Sequence, residues 1–491
     1  MTRFRVLALA LLNLLILAPT VVASQPITTP SPAVVAHVQA YIAAINAVDD
    51  VAADTFRNDH AATALQVGVA RNNFVGFFTN QHRVQGGVDL VSLRMVAPDR
   101  AEAMLRGRLY GALAGLTMSF EPAPEQRVTD FDPTPAPAWT PKSKPTLTPR
   151  EVGTQALALI RRGCRSGVFS GAVLVAQGDK VVAETACGQA NRRYSVSNST
   201  ETRFNLGSMD KMFTAIAILQ LAESGRISLD DPLSKYADDT WLPIEISGRI
   251  TLRHLLSHTS GLGSFLGAEF AKSSPQQFRE LGDYKPLVRG DRPTFEPGAG
   301  YRYSNTGMLL LGVVIEAASG ESYFDFVRSH IFKPAGMADT GSWPLEDPVA
   351  NVAMGYGWAP RSPLGWRENT QSYVYRGGPA GGGFSTVGDL HRFARALQTD
   401  KLVSLASRAY LWTDHPPNDY GAGFMITNST AGRIVGHEGM FSGVSSQLEI
   451  YVDKDYIVAI LGNQDWAAPG LGDAIRGLIT DARSSQRSRQ P

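Results

Sequence analysis

In the first part of the chain, apolar residues at Val34, Val38, Tyr41, Ile42 and Ile45 line one face at the 3.6-residue period of a helix. A second helical stretch is expected near 62–78. The period then shortens to two. Segments 88–96, 101–110 and 116–121 read as strands, with Pro98-Asp99 turning the chain between the first two. Beyond residue 150 the pattern opens on a hairpin, 170–175 and 180–185 about a turn at Gln177-Gly178-Asp179. A mainly helical middle follows, with one apolar-rich helix stopping at Gly225 and another, Thr306 to Ser319, ended by Gly320. Strand patterns return over 421–461, where 441–452 and 456–461 flank a turn at Asp453-Lys454-Asp455. Strands at both ends of a helical middle predict an α+β fold.

Two segments fit neither period. Residues 1–23 carry Arg3 and Arg5, an apolar run over 6–18 and small residues around Ala23, the pattern of a cleaved secretory signal peptide. Residues 132–149 hold prolines at 133, 135, 137, 141, 145 and 149, which favour extended chain over helix or sheet, so a semi-rigid linker is expected. The linker separates a small α+β part, 26–131, from a large part, 150–483, and 484–491 reads as a flexible tail. No later stretch reaches the ~18 apolar residues of a membrane span. The mature protein is therefore expected to be secreted or periplasmic.

Composition narrows the function. The 491 residues carry 46 Lys and Arg against 45 Asp and Glu, a balance that points away from nucleic acid. Two cysteines cannot build a Cys-rich metal centre. Export makes a Cys164–Cys187 disulfide chemically possible, since the 170–185 hairpin returns Cys187 toward Cys164. Two buried free thiols are the alternative. His60 and Asp59 are read as surface residues.

Three short motifs carry chemistry. Ser208 and Lys211 share a helix face three residues apart, where a buried neutral lysine can take the serine proton. Tyr303 and Asn305 follow a Phe295-Glu296-Pro297-Gly298 loop and can point into one cleft. A tyrosinate beside a lysine can act as a base, because a nearby cation lowers the phenol pKa. Gly436-His437-Glu438-Gly439 leads into a strand whose backbone N–H can serve an oxyanion, with Ser208 N–H as the second donor.

Ser-x-x-Lys, Tyr-x-Asn and His-x-Gly in this order resemble the serine beta-lactamase and penicillin-recognising superfamily, especially class C beta-lactamases, DD-peptidases and related esterases. The stretches 255–262 and 381–386 resemble it as well. The resemblance implies an antiparallel sheet flanked by helices with an inserted helical subdomain. It implies Ser208 as the acylated nucleophile, Lys211 as proton acceptor or relay, and Tyr303 as base and later leaving-group acid. Asn305 would bind the substrate amide or hold Lys211. His437 would occupy the third-motif position, Met440 N–H would complete the oxyanion hole, and Gly439 and Glu438 would border the substrate. The small part resembles NTF2-like α+β cones by element order alone.

The third motif departs from Lys-Thr-Gly. An imidazole largely neutral near pH 7 replaces a permanent cation, and Glu438 would repel a carboxylate substrate unless strand alternation turns it away. His254 and His258 are spaced as in zinc hydrolases on a helical pattern starting at Thr251, but no Glu follows the first His, so no metal is expected. No cofactor is implied. There is no Gly-x-Ser-x-Gly, and Ser385 marks a helix start near Thr386. The favoured reading is an exported esterase or amidase acting on a small ester, amide or D-amino-acid peptide. The alternatives are a peptidoglycan-type DD-carboxypeptidase or D-aminopeptidase, and a catalytically silent binding protein.

Overall fold

The structure, a computed structural model, describes residues 29–47, 50–135, 147–359, 362, 364–370, 374–415, 419–429 and 432–480. The expected signal peptide over 1–23, the centre of the proline-rich segment and the expected tail over 484–491 lie outside the described residues.

The N-terminal part begins with helix α1 (Pro32–Asn46), started by the Ser31 side chain accepting from Val34 N–H, and includes helix α2 (Arg71–Gln85). Four strands follow, β1 (Val88–Ala97), β2 (Arg100–Gly107), β3 (Leu113–Phe120) and β4 (Val128–Pro135), as an antiparallel meander in chain order. Val38, Tyr41, Phe56, Phe74 and Phe78 are buried with Leu116 and Met118 in its core. Strand β4 corrects the linker expectation, because Pro133 and Pro135 pair opposite Leu116 and Ala114. Prolines are tolerated there because β4 is the edge strand of this sheet, and among the described residues its outer side is met at Val128, by Ala61 and Ala62, rather than at the prolines. His60 is not a lone surface residue either, since its Nδ1 lies 3.0 Å from His37 Nδ1.

The C-terminal part opens with helix α3 (Pro149–Arg165), started by a reciprocal cap between Thr148 and Glu151. Its main sheet uses β5 (Gly171–Gln177), β6 (Lys180–Cys187), β7 (Met425–Ser429), β8 (Gly432–Phe441), β9 (Val444–Tyr451) and β10 (Tyr456–Gly462). The order is β7-β8-β9-β10-β5-β6, antiparallel throughout. Every residue of β9 and β10 is buried, as expected of strands covered on both faces. On one face Val173, Val175, Val458 and Ile460 pack against α3 and the last helix, Pro469–Thr480. On the other, Leu174, Leu448, Ile457 and Ala459 pack against the helical middle. A disulfide joins Cys164 at the end of α3 to Cys187 at the end of β6, with Cα atoms 6.0 Å apart.

The two parts touch. Tyr110 is buried in the α3 cluster, and Arg83 donates to the Asp465 carbonyl at 2.6 Å.

Candidate active site

Ser208 sits on a single tight turn, Gly207–Met209, between the short strand Phe204–Asn205 and helix α4 (Asp210–Glu223). Helix α4 is buried nearly all round, so the turn is fixed from behind by a central helix. Glycines let two backbones close on it from the sides. A Cβ on Gly381 would meet the Gly207 carbonyl at 2.5 Å, and one on Gly439 would meet the Leu206 carbonyl at 1.9 Å. The 381–383 run is tied to the turn by Gly382 N–H to Gly207 O at 3.0 Å and Leu206 N–H to Gly383 O at 2.7 Å.

Lys211, the second residue of α4, is fully buried with Nζ 3.0 Å from Ser208 Oγ and a second hydrogen bond to the Ala380 carbonyl. Burial lowers its pKa to about 7, against the pull of Asp210. Asp210 is buried too and its pKa is raised, although it accepts from Gly383 N–H at 2.6 Å.

Tyr303 stands at the cleft mouth, 37% exposed, with its hydroxyl beside Ser208. The surroundings of the phenol do not favour a tyrosinate. The packing around the phenol raises its pKa, and hydrogen bonding to Ser208 only partly offsets this. The cation meant to lower it is Lys211, which burial disposes to lose its own charge and whose Nζ lies over the ring face, 4.8 Å from its centre. These surroundings favour the neutral phenol.

Asn305 begins helix α5 (Asn305–Ser319), and its Nδ2 donates to Ser264 Oγ at 3.0 Å. It does not hold Lys211; the Ala380 carbonyl does.

Strand β8 supplies the third wall. Strand β7 pairs only with residues 432–436 of β8, so the edge from His437 onward is not covered by β7 and runs beside Gly207. A Cβ on Gly207 would lie 3.2 Å from Met440 N, which places that nitrogen at the Ser208 turn. His437 points into the cleft side and is buried. Its Nδ1 lies 2.6 Å from the Glu438 carbonyl, an acceptor only, so Nδ1 carries the proton. Nε2 then accepts from Tyr420 Oη at 3.1 Å. Burial and Lys211 lower the His437 pKa to about 3, so the ring is neutral.

Glu438 corrects a second expectation, since it does not border the substrate. Alternation along β8 turns it to the opposite face, where Glu449, Arg476 and Asp473 act on it and burial raises its pKa. The helical reading of His258 is corrected as well, because the helix Leu252–Leu256 ends before it. His254 caps that helix, its Nδ1 accepting from Thr251 N–H at 3.2 Å. Among the described residues no group of His, Cys, Asp or Glu is arranged to hold a metal ion.

Sequence reasoning missed the Ala380 carbonyl, Asp210 and Tyr420. Asp210 adjoins Lys211 and could have been flagged as its charge partner. Tyr420 is 17 residues from His437 and shares no motif with it.

The family model described as Beta-lactamase matches residues 156–479. Penicillin-binding protein 4* of Bacillus subtilis is 34% identical over 314 residues, covering 60% of this chain and 68% of that protein. The penicillin binding protein of Bacillus halodurans superposes with a TM-score of 0.59 at 30% identity, over 65% of this chain and 98% of that one. A D-stereospecific amidohydrolase from Streptomyces sp. gives a TM-score of 0.52 at 26% identity, over 63% and 93% of the two chains. With the family's sheet-and-helix fold around a serine–lysine pair, this chain belongs to the Beta-lactamase family and is a serine hydrolase.

Proposed function

We propose that the chain hydrolyses amides and esters through an acyl-enzyme on Ser208, and that its substrates lack a carboxylate beyond the scissile bond. The observation carrying this reading is a buried Lys211, its pKa near 7, 3.0 Å from Ser208 Oγ. As a neutral amine it donates to Ala380 O and keeps its lone pair for the Ser208 proton. Ser208 Oγ bonds to the substrate carbonyl carbon as its proton passes to Lys211. The backbone N–H groups of Ser208 and Met440 face the developing oxyanion. When the tetrahedral intermediate collapses, the bond to the leaving nitrogen or oxygen breaks and that atom takes the Tyr303 proton. Lys211 then returns its proton to Tyr303, and water hydrolyses the ester.

The substrate restriction rests on His437. A neutral imidazole whose two nitrogens are already engaged offers no cation to a carboxylate. The likeness to a D-stereospecific amidohydrolase supports an amide substrate. The pattern of residues 1–23 supports export.

The test compares D-phenylalanine amide, a p-nitrophenyl ester, benzylpenicillin and a D-alanyl-D-alanine peptide, with Ser208→Ala as control. Turnover of the first two without a stable adduct or turnover from the last two is expected. Rapid acylation by benzylpenicillin or the peptide would favour the DD-peptidase reading and overturn the restriction.

A further inference from the structure

His258 belongs to none of the three motifs, yet it touches the chain before, at and after Tyr303. Arg302 N–H donates to the His258 carbonyl at 2.9 Å, and Ser304 N–H donates to His258 Nδ1 at 3.2 Å. The ring centre lies 4.5 Å from that of Tyr303 and 4.7 Å from that of Tyr420, so His258 packs against both phenols. The residue is fully buried and takes φ 59°, a left-handed conformation that a side chain with a Cβ adopts only when its surroundings impose it.

Chemistry fixes the state of the ring. A backbone N–H can only donate, so Nδ1 presents its lone pair to Ser304 and the proton sits on Nε2. Burial, Lys211 and His437 all keep the imidazole neutral. An imidazolium would set an N–H against the Ser304 N–H and break the contact.

The far side of the loop is held separately. Ser304 Oγ donates to the Gly263 carbonyl at 2.8 Å and accepts from Gly307 N–H to start α5. Between these supports, the two backbone bonds to His258 leave the Tyr303 side chain little freedom except to project at Ser208.

We propose that His258 is the positioning residue for Tyr303, its carbonyl and Nδ1 clamping the backbone on both sides so that the phenol meets the leaving group. The proposal rests on the reading of Tyr303 as proton donor. It acts through placement, so its effect is expected to follow the leaving group. An amine leaving from an anilide needs the Tyr303 proton, whereas p-nitrophenolate leaves without one.

Acylation rates measured by stopped flow on a p-nitrophenyl ester and on the matching anilide test this. Tyr303→Phe is expected to lower the anilide rate relative to the ester rate by ~30-fold or more. His258→Gly, which accepts φ 59° without strain, is expected to lower the same ratio by ~10-fold. Added to Tyr303→Phe it is expected to lower the ratio no further. His258→Asn tolerates the left-handed backbone and offers Oδ1 near the Nδ1 position, so it should recover the ratio to within about threefold of wild type.

Equal losses on both substrates, or a full further loss in the Tyr303→Phe background, would overturn the positioning role while leaving Tyr303 in place. If Tyr303→Phe does not separate the substrates, the reading of Tyr303 fails and the role of His258 falls with it. Should His258→Gly fail to fold, imidazole ¹⁵N spectra of the wild-type protein decide. The Nε2–H tautomer is expected across about pH 5–8, and a proton on Nδ1 overturns the clamp.

Discussion

Neighbouring residues of β8 face two buried polar clusters that treat charge in opposite ways. On the His437 side, Lys211, His258 and His437 all have lowered pKa values, with burial as the first cause in each. On the Glu438 side the cation is kept, although burial raises the pKa values of Glu438 and Asp473. Arg476 is ion-paired with both Glu449 and Asp473, and its pKa is raised. Gln447 Nε2 adds a bond to Glu449 at 2.8 Å, and Tyr451 donates to its other oxygen. Both sites are dry. What differs is the supply of partners: the Glu438 side surrounds its cation with carboxylates, while the Ser208 side gives Lys211 one carboxylate, itself pushed toward neutrality. A buried charge without enough partners gives up its charge. At Ser208 that loss creates the lone pair acyl transfer requires.

The largest expected effect breaks the first cluster. Lys211→Arg installs a cation that cannot lose its proton, and acylation is expected to fall by roughly 10⁴-fold with the fold retained. Stopped-flow acylation alongside circular dichroism checks both halves. Arg476→Ala breaks the other cluster by leaving Glu449 buried without its cation. It should cost about 3–5 kcal/mol of stability in urea denaturation while the acylation rate of the remaining folded protein stays at the wild-type value.

A smaller effect comes from pH. Because the Lys211 pKa is lowered to about 7, its active neutral form is lost as pH falls through that value. The acylation rate should level off above about pH 8 and drop close to tenfold per unit below about pH 6. A flat profile between those limits would remove Lys211 as acceptor. The smallest effect is expected at Glu438→Gln. Its side chain lies across the sheet from the cleft, so discrimination against carboxylate substrates should change by less than about twofold. A large gain for benzylpenicillin would return Glu438 to the substrate side.

Legibility in the sequence followed distance along the chain. Ser208 and Lys211 are joined by helical spacing, and the two sit in contact. The Gly381-Gly382-Gly383 run was visible as a motif, but its purpose, backbone approach to Gly207, needed the fold. The motif placed Asn305 beside Tyr303, yet its amide serves Ser264 because the side chain lies on the first turn of α5. Tyr420 was invisible, since only the pairing of β7 with β8 brings its segment to His437. Proximity to a lysine does not settle the protonation of Tyr303, because burial lowers the Lys211 pKa. Strand β4 was hidden by its prolines, which are expected to end strands and are tolerated only at an edge.

Catalysis is expected to run through a covalent ester on Ser208 formed with a neutral Lys211 as acceptor. Intact-protein mass spectrometry after millisecond quenching with a p-nitrophenyl ester tests it most directly, with peptide mapping of the adduct. One acyl group is expected, located on the peptide carrying Ser208, absent from Ser208→Ala and formed faster at about pH 8 than at about pH 6. Turnover without an adduct, labelling of Ser208→Ala at the wild-type rate, or acylation that speeds up as pH falls would contradict it.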